Sequence, residues 1–402
     1  MKEYESNMKE LRKKRVLLIN HYAGSPSMGM EFRPYYLAKE WTKRGYIVDI
    51  IAADYSHLRM NNPLISRDFE TQNIDGIRYH WLHTGAYVGN GIKRALTMFQ
   101  FVGKLWINAK RIAHTYKPDV IITSSTYPLD TYAGQRIKKF CKGKVKLIHE
   151  VHDMWPITLI ELGGMSRANP FVILMQMAEN SFCKKSDYVV SLACAAKDYF
   201  IKHGMSAKKF RSIMNGVVLE EWDTPEPLPH EHQEILTQLH AIDYVLDAAK
   251  VVNDHRLAIV IVGEGNQKEE LLIKSKAMKD VYFLPKISKR AIPTLLSEID
   301  CSYVGALRND MFRFGICMNK LFDSMMSGKP ILYAVEAPNN FVEEYSCGVS
   351  VDAENVEALA NGIRKILNLT KKEKEQMGNN GKKAVIQNYS YGNLAQQFAE
   401  LF

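Results

Sequence analysis

The chain has 402 residues, of which 46% are hydrophobic and 24% charged, and its formal net charge is +9. This composition is typical of a folded globular protein and excludes a disordered or fibrous chain. The length exceeds what one core usually supports, so two domains of roughly 200 residues are expected. The positive charge favours anionic partners, which include phosphate-bearing substrates, a membrane surface and nucleic acid.

The first fifteen residues are polar and rich in Lys and Arg, which argues against a secretory signal peptide. No stretch of the sequence reaches the roughly 20 apolar residues that a membrane-spanning helix needs. The six cysteines are scattered, without a C-x-x-C pair and without histidines at zinc spacing. This pattern predicts reduced, mostly buried thiols in a cytoplasmic protein.

Short apolar runs alternate with helical patterns along the first half of the chain. The run 15–20 predicts a strand buried on both faces, and a helix over about 30–44 follows and ends at Gly45. Further strands in this half are predicted at 47–51, 77–82, 119–124, 145–150, 187–191 and 210–214. The alternation is typical of an α/β domain with a doubly wound parallel sheet.

A second domain is expected to begin near Asn215-Gly216, and a proline-rich linker over 225–229 follows. Its strands are predicted at 256–262, 281–284, 299–304, 330–333 and 349–351, and the stretch from about 355 to 402 is helical in pattern. We therefore predict a first domain of residues 1–215 plus about 386–402, and a second of residues 216–385.

The second domain lacks one expected feature. Such a unit opens with a strand, a glycine-containing turn and a helix N-terminus. Here the helical pattern of 241–250 follows 230–240 directly. Either the strand and turn have been lost, or about a dozen residues of such a unit are missing between His240 and Ala241. The difference concerns phosphate binding, because that turn is expected to hold phosphates.

The stretch 313–331 combines a loop, a helix that begins near Asn319 and a Gly-Lys-Pro turn into a strand. A helix N-terminus carries unpaired N–H groups and partial positive charge, so it suits a pyrophosphate. Lys320 adds a full charge there. Asp323, one turn later, can accept hydrogen bonds from ribose hydroxyls. The alternative is an ordinary N-cap at Asn319 beside a solvated Lys320–Asp323 pair.

This stretch resembles the nucleotide-binding signature of glycosyltransferase family 4. Its Asn-Lys-Leu-Phe-Asp and Gly-Lys-Pro elements are similar to the bacterial subgroup that builds O-antigen and capsule repeats, including fucosamine-type transferases. Other matching pieces, in order and spacing, are Gly29, His-Asp-Met-Trp-Pro at 152–156, Asn-Gly-Val at 215–217, Val-Gly-Glu-Gly at 262–265 and the long C-terminal helices. The resemblance implies the GT-B fold: two facing Rossmann-like, doubly wound parallel-sheet domains with an interdomain cleft.

The resemblance also implies a reaction. A retaining glycosyltransferase moves a sugar from a nucleotide sugar, here UDP-linked, to a saccharide acceptor, here one on a polyprenyl diphosphate, in the synthesis of a bacterial surface polysaccharide. No metal or other cofactor is expected, and no Asp-x-Asp motif stands out. The leaving diphosphate must then be stabilised by helix dipoles and basic side chains.

Three residues are expected to be catalytic. His152 matches the family position that contacts the donor sugar and pyrophosphate, so it can stabilise the departing group. Asp153 can orient His152 or bind the acceptor. Lys320 supplies positive charge to the diphosphate. His152 and Asp153 follow the strand predicted at 145–150, and carboxyl ends of parallel strands line ligand crevices.

Several positions are predicted to bind the donor nucleotide. The signature's first acidic residue has no counterpart in this chain, where Phe312 and Arg313 stand, so Arg313 is a candidate for phosphate contact. Gly263 and Gly265 are expected to wall the base pocket with Lys286 beside them, although plain loop chemistry explains them equally well. The full set is Gly29, Gly263, Gly265, Lys286, Arg313, Asn319 and Asp323.

The acceptor is expected at the start of the first helix. Gly29 lets backbone amides approach a phosphate or sugar closely, unless it is a simple turn glycine. Glu31 and Arg33 follow it at the side of the predicted cleft. Arg33 suits an acceptor diphosphate, because a guanidinium pairs well with phosphate oxygens.

A basic stretch is a candidate membrane-binding element. No acidic residue lies between Asp75 and Asp119, and 91–116 has a helical pattern. The apolar residues expected to share one side of that helix are Ile92, Leu96, Phe99, Leu105 and Ile112. A basic amphipathic helix with aromatic residues suits an anionic membrane surface, whereas the alternative is a packed helix with a solvated basic face. We expect a cytoplasmic protein bound peripherally to the inner face of the plasma membrane.

Other functions remain as alternatives. A sugar-nucleotide epimerase has a similar two-domain build but needs no acceptor. A non-catalytic, membrane-associated partner that has kept the fold would explain the missing first acid. A nicotinamide-dependent oxidoreductase is disfavoured, because the turn after Asn20 lacks G-x-G-x-x-G and only Asp54 lies near the ribose-binding position. Nucleic acid is not an expected partner, because no DNA- or RNA-binding motif is present.

Overall fold

A computed structural model describes residues 13–29, 32–87, 89, 91–229, 244–263, 268–276, 278 and 280–402. The chain divides into two compact units. Unit 1 comprises Met1–Met214 with Leu394–Phe402, and unit 2 comprises Asn215–Asn393.

Unit 1 is built on one eight-stranded sheet with the order β3-β4-β2-β1-β5-β6-β7-β8. Its strands are β1 Arg15–Ile19, β2 Ile47–Ala53, β3 Glu70–Ile74, β4 Ile77–Leu82, β5 Val120–Thr123, β6 Lys146–Val151, β7 Tyr188–Ser191 and β8 Phe210–Ser212. Every neighbouring pair is parallel except β3 and β4. Because the order runs outward from β1 on both sides, the predicted doubly wound sheet is confirmed.

Helices connect and cover these strands. They are α1 Phe32–Lys43, α2 Ile92–Ile107, α3 Ala109–Tyr116, α4 Asp130–Phe140, α5 Ile157–Glu161, α6 Pro170–Lys185 and α7 Lys197–Lys202. In the core of one face, Leu17 and Ile121 of the sheet pack with Leu105, Ile112 and Ile137 of the helices, all fully buried. Burying a side chain of this size contributes about 1.5–3 kcal/mol, which is why the strands read as continuous apolar runs.

The edge strand β3 was not predicted. It pairs antiparallel with β4 through a tight hairpin. Asp75 and Gly76 form the turn with φ values of 52° and 84°. A two-residue turn that needs positive φ at both positions favours Asp-Gly, so this dipeptide was the signal for the hairpin.

The predicted helix over 91–116 is interrupted. Helix α2 ends at Ile107 and α3 begins at Ala109, with Asn108 between them. The five apolar residues expected to share one side do not. Leu105 and Ile112 are buried in the core, whereas Ile92, Leu96 and Phe99 are exposed. The helix therefore has two apolar sides, because the inward side is already filled by other residues, including Met98 and Phe101.

Unit 2 has shorter strands. They are β9 Ile259–Val262, β10 Val281–Leu284, β11 Ser302–Gly305, β12 Ile331–Ala334 and β13 Gly348–Ser350. Among the described residues they form two parallel sheets, β10-β9 and β11-β12-β13. Its helices are α8 Leu219–Asp223, α9 Tyr244–Val252, α10 Lys268–Ser275, α11 Ile292–Ser297, α12 Asn319–Met326, α13 Phe341–Glu344, α14 Val356–Leu367 and α15 Lys371–Asn388.

The core of unit 2 joins strands of both sheets to two helices. Leu246 of α9 packs with Ile259, Leu332 and Val349 of the strands and with Leu359 of α14. The strand and glycine turn expected ahead of α9 fall on residues 230–243, which lie outside the described residues.

The chain returns to unit 1 through its last helix, α16 Tyr391–Ala399. Trp41 of α1 donates a hydrogen bond from Nε1 to the carbonyl oxygen of Ala395 at 3.0 Å. The Trp41 ring also meets the Phe398 ring edge-on, with centroids 5.4 Å apart. These contacts fix the C-terminal residues 394–402 to the first unit.

Candidate functional site

The carboxyl edge of the unit 1 sheet carries a buried polar network. Ser124 follows β5, Glu150 lies near the end of β6, and His152 follows it. Because β5 and β6 are parallel neighbours, their ends bring these side chains together. The Ser124 hydroxyl donates to Glu150 at 2.6 Å and bonds His152 Nε2 at 2.9 Å, and Nε2 lies 3.2 Å from Glu150 Oε2.

Arg33 completes this network from α1. Its Nε and Nη2 both donate to Glu150 Oε1, at 3.0 and 2.8 Å. Its remaining donors reach the carbonyl oxygens of Met214 and Ile213 at 2.6 and 2.9 Å. Arg33 is only 6% exposed. The expectation that it presents its charge to an acceptor diphosphate is therefore wrong, because the guanidinium is committed to the fold.

Glu150 stays ionised in this setting. Burial alone would raise the pKa of its carboxyl group, but Arg33, His152 and the hydrogen bonds from His152 and Ser124 hold the pKa well below its ordinary value. An ionised carboxylate only accepts hydrogen bonds, so the contact with Glu150 places a proton on His152 Nε2. Glu150 thus orients the imidazole of His152.

Asp153 lies beside this network and reaches solvent. The surrounding protein raises the pKa of its carboxyl group, and the charges of His152 and Arg94 oppose that rise. Arg94 comes from α2, and its guanidinium lies over the Tyr22 ring at 5.5 Å. Tyr22 closely follows β1. Arg94 therefore brings positive charge to the same edge of the sheet as His152 and Asp153.

Sequence reasoning missed three residues of this edge: Ser124, Glu150 and Asp130. Asp130 is fully buried at the start of α4, where it accepts a hydrogen bond from the Ser125 amide at 3.0 Å. Burial raises the pKa of Asp130 to about 7. The available signal was the polar run directly after two apolar strands, since polar residues at that position line the sheet edge.

Gly29 is required by the backbone. It ends the short 3-10 helix Pro26–Met28 with a φ of 84°, a conformation that glycine adopts at no steric cost. A Cβ at this position would also lie 2.8 Å from the Met60 side chain. The neighbouring Glu31 lies outside the described residues.

In unit 2 the helix α12 begins at Asn319, as predicted. Met318, not Asn319, is its N-cap residue, and no side chain caps the helix. Lys320 donates from Nζ to the carbonyl oxygen of Gly305, at the end of β11, at 3.1 Å. Burial lowers the pKa of Lys320. The first turn of α12 therefore offers backbone N–H groups with one lysine beside them.

Asp323 lies one turn further along α12. Burial raises its pKa to about 6, Lys289 opposes the rise and Glu221 adds to it. Asp323 and Lys320 both line a cavity of about 220 Å³ between β9 and β11, together with apolar residues such as Val260. The two predicted ligands thus share one cavity of unit 2.

Two other predicted nucleotide ligands, Gly263 and Lys286, lie at strand ends of unit 2. Gly263 follows β9 with a φ of 141° and donates its amide to the Leu284 carbonyl oxygen at 3.1 Å. Lys286 follows β10 and is exposed. Arg313 is exposed and lies over the Phe314 ring, with Nη1 donating to the Asp310 carbonyl oxygen at 2.6 Å. Gly265 lies outside the described residues.

Two features are absent from the part of the chain that the structure describes. No cluster of three or more His, Cys, Asp or Glu side chains is placed to hold a metal ion. No described helix is both long and apolar enough to cross a membrane.

Comparison with known proteins identifies relatives for both halves. Residues 28–221 match the model of Glycosyltransferase Family 4, and residues 236–384 match that of Glycosyl transferases group 1. The chain is 30% identical to WcaI of Escherichia coli K12, whose name assigns it to colanic acid biosynthesis, over 64% of this chain and 68% of WcaI.

Solved structures show the same fold at low identity. Sucrose-phosphate synthase of Thermosynechococcus elongatus has a TM-score of 0.67 and 16% identity, covering 97% of this chain and 98% of that one. HepE of Anabaena, solved with UDP and glucose, has a TM-score of 0.61 and 16% identity, covering 96% and 98%. Since the two family models together match most of the chain, it belongs to glycosyltransferase family 4 and is a glycosyltransferase with the GT-B fold.

Proposed function

We propose that the protein is a retaining glycosyltransferase of bacterial surface polysaccharide synthesis. It moves a hexosyl or N-acetylhexosaminyl group from a UDP-sugar to a saccharide acceptor on a polyprenyl diphosphate. The observation that carries this proposal is the ionised Glu150 bonded to His152 at the carboxyl edge of the unit 1 sheet. The relation to WcaI supports the polysaccharide, and the UDP-bound HepE supports the nucleotide.

In this reaction the bond between the anomeric carbon and the diphosphate oxygen breaks, and a bond to an acceptor hydroxyl oxygen forms on the same face of the sugar. The acceptor proton leaves with the departing diphosphate. Glu150 holds the Nε2–H of His152 and so fixes the orientation of the imidazole, and the other ring nitrogen, Nδ1, accepts a hydrogen bond from a hydroxyl group of the reacting sugar. Asp153, which reaches solvent beside it, binds acceptor hydroxyls.

The donor nucleotide is bound by unit 2. Backbone N–H groups at the start of α12 and the charge of Lys320 stabilise the diphosphate, with Arg313 as a second cation. Asp323 accepts hydrogen bonds from ribose hydroxyls, and Gly263 with Lys286 borders the base. We propose that this set replaces a metal ion. Transfer is then expected to be unchanged in the presence of EDTA, and full dependence on added magnesium would contradict it.

Lys320 tests the donor site. We expect Lys320→Ala to lower kcat by about 100-fold, because loss of one preorganised charge-stabilising group costs two to three orders of magnitude. Its control is Lys365→Ala, which removes an exposed lysine of α14 in the same unit. Both variants are expected to have the same midpoint of denaturant unfolding as the wild-type protein. Wild-type turnover by Lys320→Ala would remove this residue from the mechanism.

The acceptor diphosphate requires a cation other than the buried Arg33. Arg94 fits this role, because it lies at the carboxyl edge of the sheet near Asp153 and belongs to α2, the helix with the exposed apolar side. An acceptor whose lipid lies in a bilayer would meet this helix and the arginine on it. We therefore assign the acceptor diphosphate to Arg94.

Helix α2 is the proposed membrane contact. Its exposed apolar residues are spaced four, three and seven positions apart, which places them in one stripe on the helix: Ile92, Leu96, Phe99 and Trp106, continued by Ile107. Neither α2 nor α3 contains an acidic residue. An exposed apolar stripe with lysines beside it suits an anionic lipid surface. The protein is then peripheral on the inner face of the plasma membrane, in the cytoplasm.

Vesicle sedimentation checks this contact. Leu96→Gln is expected to weaken binding to phosphatidylglycerol vesicles by about tenfold, because a buried leucine side chain contributes at least about 1.5 kcal/mol. Ile173→Gln is the matched control, since Ile173 on α6 is 46% exposed and Leu96 is 54% exposed. The proposal would be contradicted if both variants bound the vesicles equally. It would also be contradicted if the wild-type protein bound neutral phosphatidylcholine vesicles as well as phosphatidylglycerol vesicles.

The reaction itself is tested with a UDP-sugar panel and a polyprenyl-diphosphate-linked saccharide. The expected result is UDP release that requires acceptor, with the anomeric configuration of the donor retained in the product by NMR. Isomerisation of a donor without acceptor would instead identify the sugar-nucleotide epimerase.

A second candidate is a non-catalytic, membrane-associated partner. The observation in its favour is the division of the described unit 2 strands into two sheets, β10-β9 and β11-β12-β13. If the described strands are all that supports it, a donor site divided between two sheets has less support for its loops. Calorimetry with UDP separates the two, because the transferase binds UDP and the partner does not.

A further inference from the structure

A second polar cavity lies at the opposite edge of the unit 1 sheet. Its volume is about 370 Å³, within the range of small-molecule sites. Arg15 is the first residue of β1 and Arg78 is the second residue of β4, so the cavity lies at the amino edge of the sheet. Helix α3 closes it with Arg111. His152 follows the carboxyl end of β6, so this cavity is separate from the candidate catalytic edge.

The cavity concentrates positive charge. Three guanidinium groups, from Arg15, Arg78 and Arg111, line it, and Asp49 is the single carboxylate among its described lining residues. Asp49 is almost fully buried and accepts from Arg78 at 2.5 Å and pairs with His80 Nε2 at 2.7 Å. One carboxylate thus compensates one arginine, and two guanidinium charges remain around the same space.

The arginines have donors left over. Nε of Arg15 and Nε of Arg78 are buried and have no hydrogen-bond partner among the described residues. A buried N–H group without a partner is costly, and more so on a charged group, so these donors favour an anionic ligand in the cavity. Arg111 is exposed but held in place, because its guanidinium lies 4.9 Å from the centre of the Phe69 ring.

We propose that this cavity binds the phosphate group of a small phosphorylated molecule. Guanidinium groups from three different elements surround the space, and arginine pairs with phosphate oxygens through two parallel hydrogen bonds. Thr115, which carries a hydroxyl group, also lines the cavity. A volume of about 370 Å³ exceeds that of bare phosphate and accommodates a hexose phosphate or a nucleoside monophosphate.

Calorimetry on the full chain tests this site with inorganic phosphate, a hexose phosphate and a nucleoside monophosphate at constant ionic strength. We expect at least one phosphate probe to bind wild type, with the free hexose and acetate silent. Arg111→Gln is expected to weaken that binding by about tenfold, because a hydrogen bond to a charged group contributes at least about 1.5 kcal/mol. Lys110→Gln, which removes an exposed charge next to it on α3, is the matched control.

The outcomes separate this site from the donor site. Binding that is equal in Arg111→Gln and Lys110→Gln would overturn the proposal, as would wild-type protein that binds none of the three phosphate probes. Arg15→Lys keeps the charge but loses the forked geometry of the guanidinium group. This variant is expected to weaken binding of the phosphate probe and to leave UDP binding unchanged. Loss of UDP binding in this variant would place the anion at the donor site instead.

Discussion

The two units treat a buried carboxyl group in opposite ways. In unit 1, Glu150 has Arg33, Ser124 and His152 around it, and its pKa is held well below the ordinary value. In unit 2, Asp323 lies in a largely apolar cavity with Lys289 as the opposing charge, and its pKa rises to about 6. The first carboxylate is paired within the fold, whereas for the second the charge of Lys289 only partly opposes the rise in pKa. The difference shows that a paired guanidinium and direct hydrogen bonds decide the direction in which the pKa of a carboxyl group moves.

Removing the first carboxylate is expected to have the largest effect. Glu150→Gln leaves the Arg33 guanidinium buried without its counter-charge, and breaking a buried pair costs about 3–5 kcal/mol in the free energy of unfolding. Hydrogen exchange of unit 1 peptides measures this loss. Glu336→Gln, which breaks an exposed pair with Arg308, is the control and is expected to cost less than about 1 kcal/mol. Similar losses for both variants would show that the Glu150 network adds no stability.

The same residue sets a pH dependence. The pKa of Glu150 in the folded state is below its ordinary value of 4.5. The ionised carboxylate therefore stabilises unit 1 fully at pH values above 4.5. The stabilisation is lost as the pH falls toward the lower folded pKa. Glu150→Gln is expected to remove this part of the acid sensitivity of unit 1.

Asp323 is expected to give the opposite slope. Its pKa is about 6 in the folded state against 3.8 in the ordinary case. Between about pH 4 and about pH 6 the folded chain keeps a proton that the unfolded chain has lost, so stability falls as the pH rises. Asp323→Asn should abolish this fall and stabilise unit 2 at pH 7 by about 1–3 kcal/mol.

The matched control for that slope is Asp352→Asn, which changes an exposed carboxylate of the same unit. A wild-type pH slope in Asp323→Asn would contradict the raised pKa. A change of the wild-type pH slope on addition of UDP, with no such change in Asp323→Asn, would sharpen the comparison by tying Asp323 to the bound nucleotide.

Two helix glycines, one in each unit, differ in the space around them. A Cβ on Gly378 of α15 would lie 1.7 Å from the Gly328 carbonyl oxygen, whereas a Cβ on Gly103 of α2 would meet nothing within 4 Å. Gly378→Ala is expected to destabilise unit 2 by about 1–3 kcal/mol through overpacking. Gly103→Ala is expected to stabilise unit 1 by about 0.5–1 kcal/mol through helix propensity. Denaturant unfolding measures both, and a common sign for the two variants would contradict this assignment.

Local patterns predicted much of the fold. The apolar runs located all strands of unit 1 except β3, and all five described strands of unit 2. The signal is clearest for β1 and β5, because a strand buried on both faces must be apolar. The start of α12 at Asn319 also followed from sequence. The Asp75-Gly76 turn shows that even β3 had a local signal, in backbone conformation rather than in hydrophobicity.

Side-chain partners were not predictable in the same way. Arg33 and Glu150 are 117 positions apart, so no local pattern indicates that they pair. The apolar residues of α2 satisfied a helical period on two sides, and only packing decided that Leu105 is buried and Leu96 exposed.

The sequence by itself determined the alternation of strands and helices, the resemblance to family 4 and the motif positions, because these depend on short-range periodicity and residue order. Tertiary structure alone decided that Arg33 is an internal counter-ion, that Glu150 orients His152, and that three arginines surround one cavity at the amino edge of the sheet. The physical reason is that electrostatic interactions depend on distance and burial in space, and both are set by how the strands assemble.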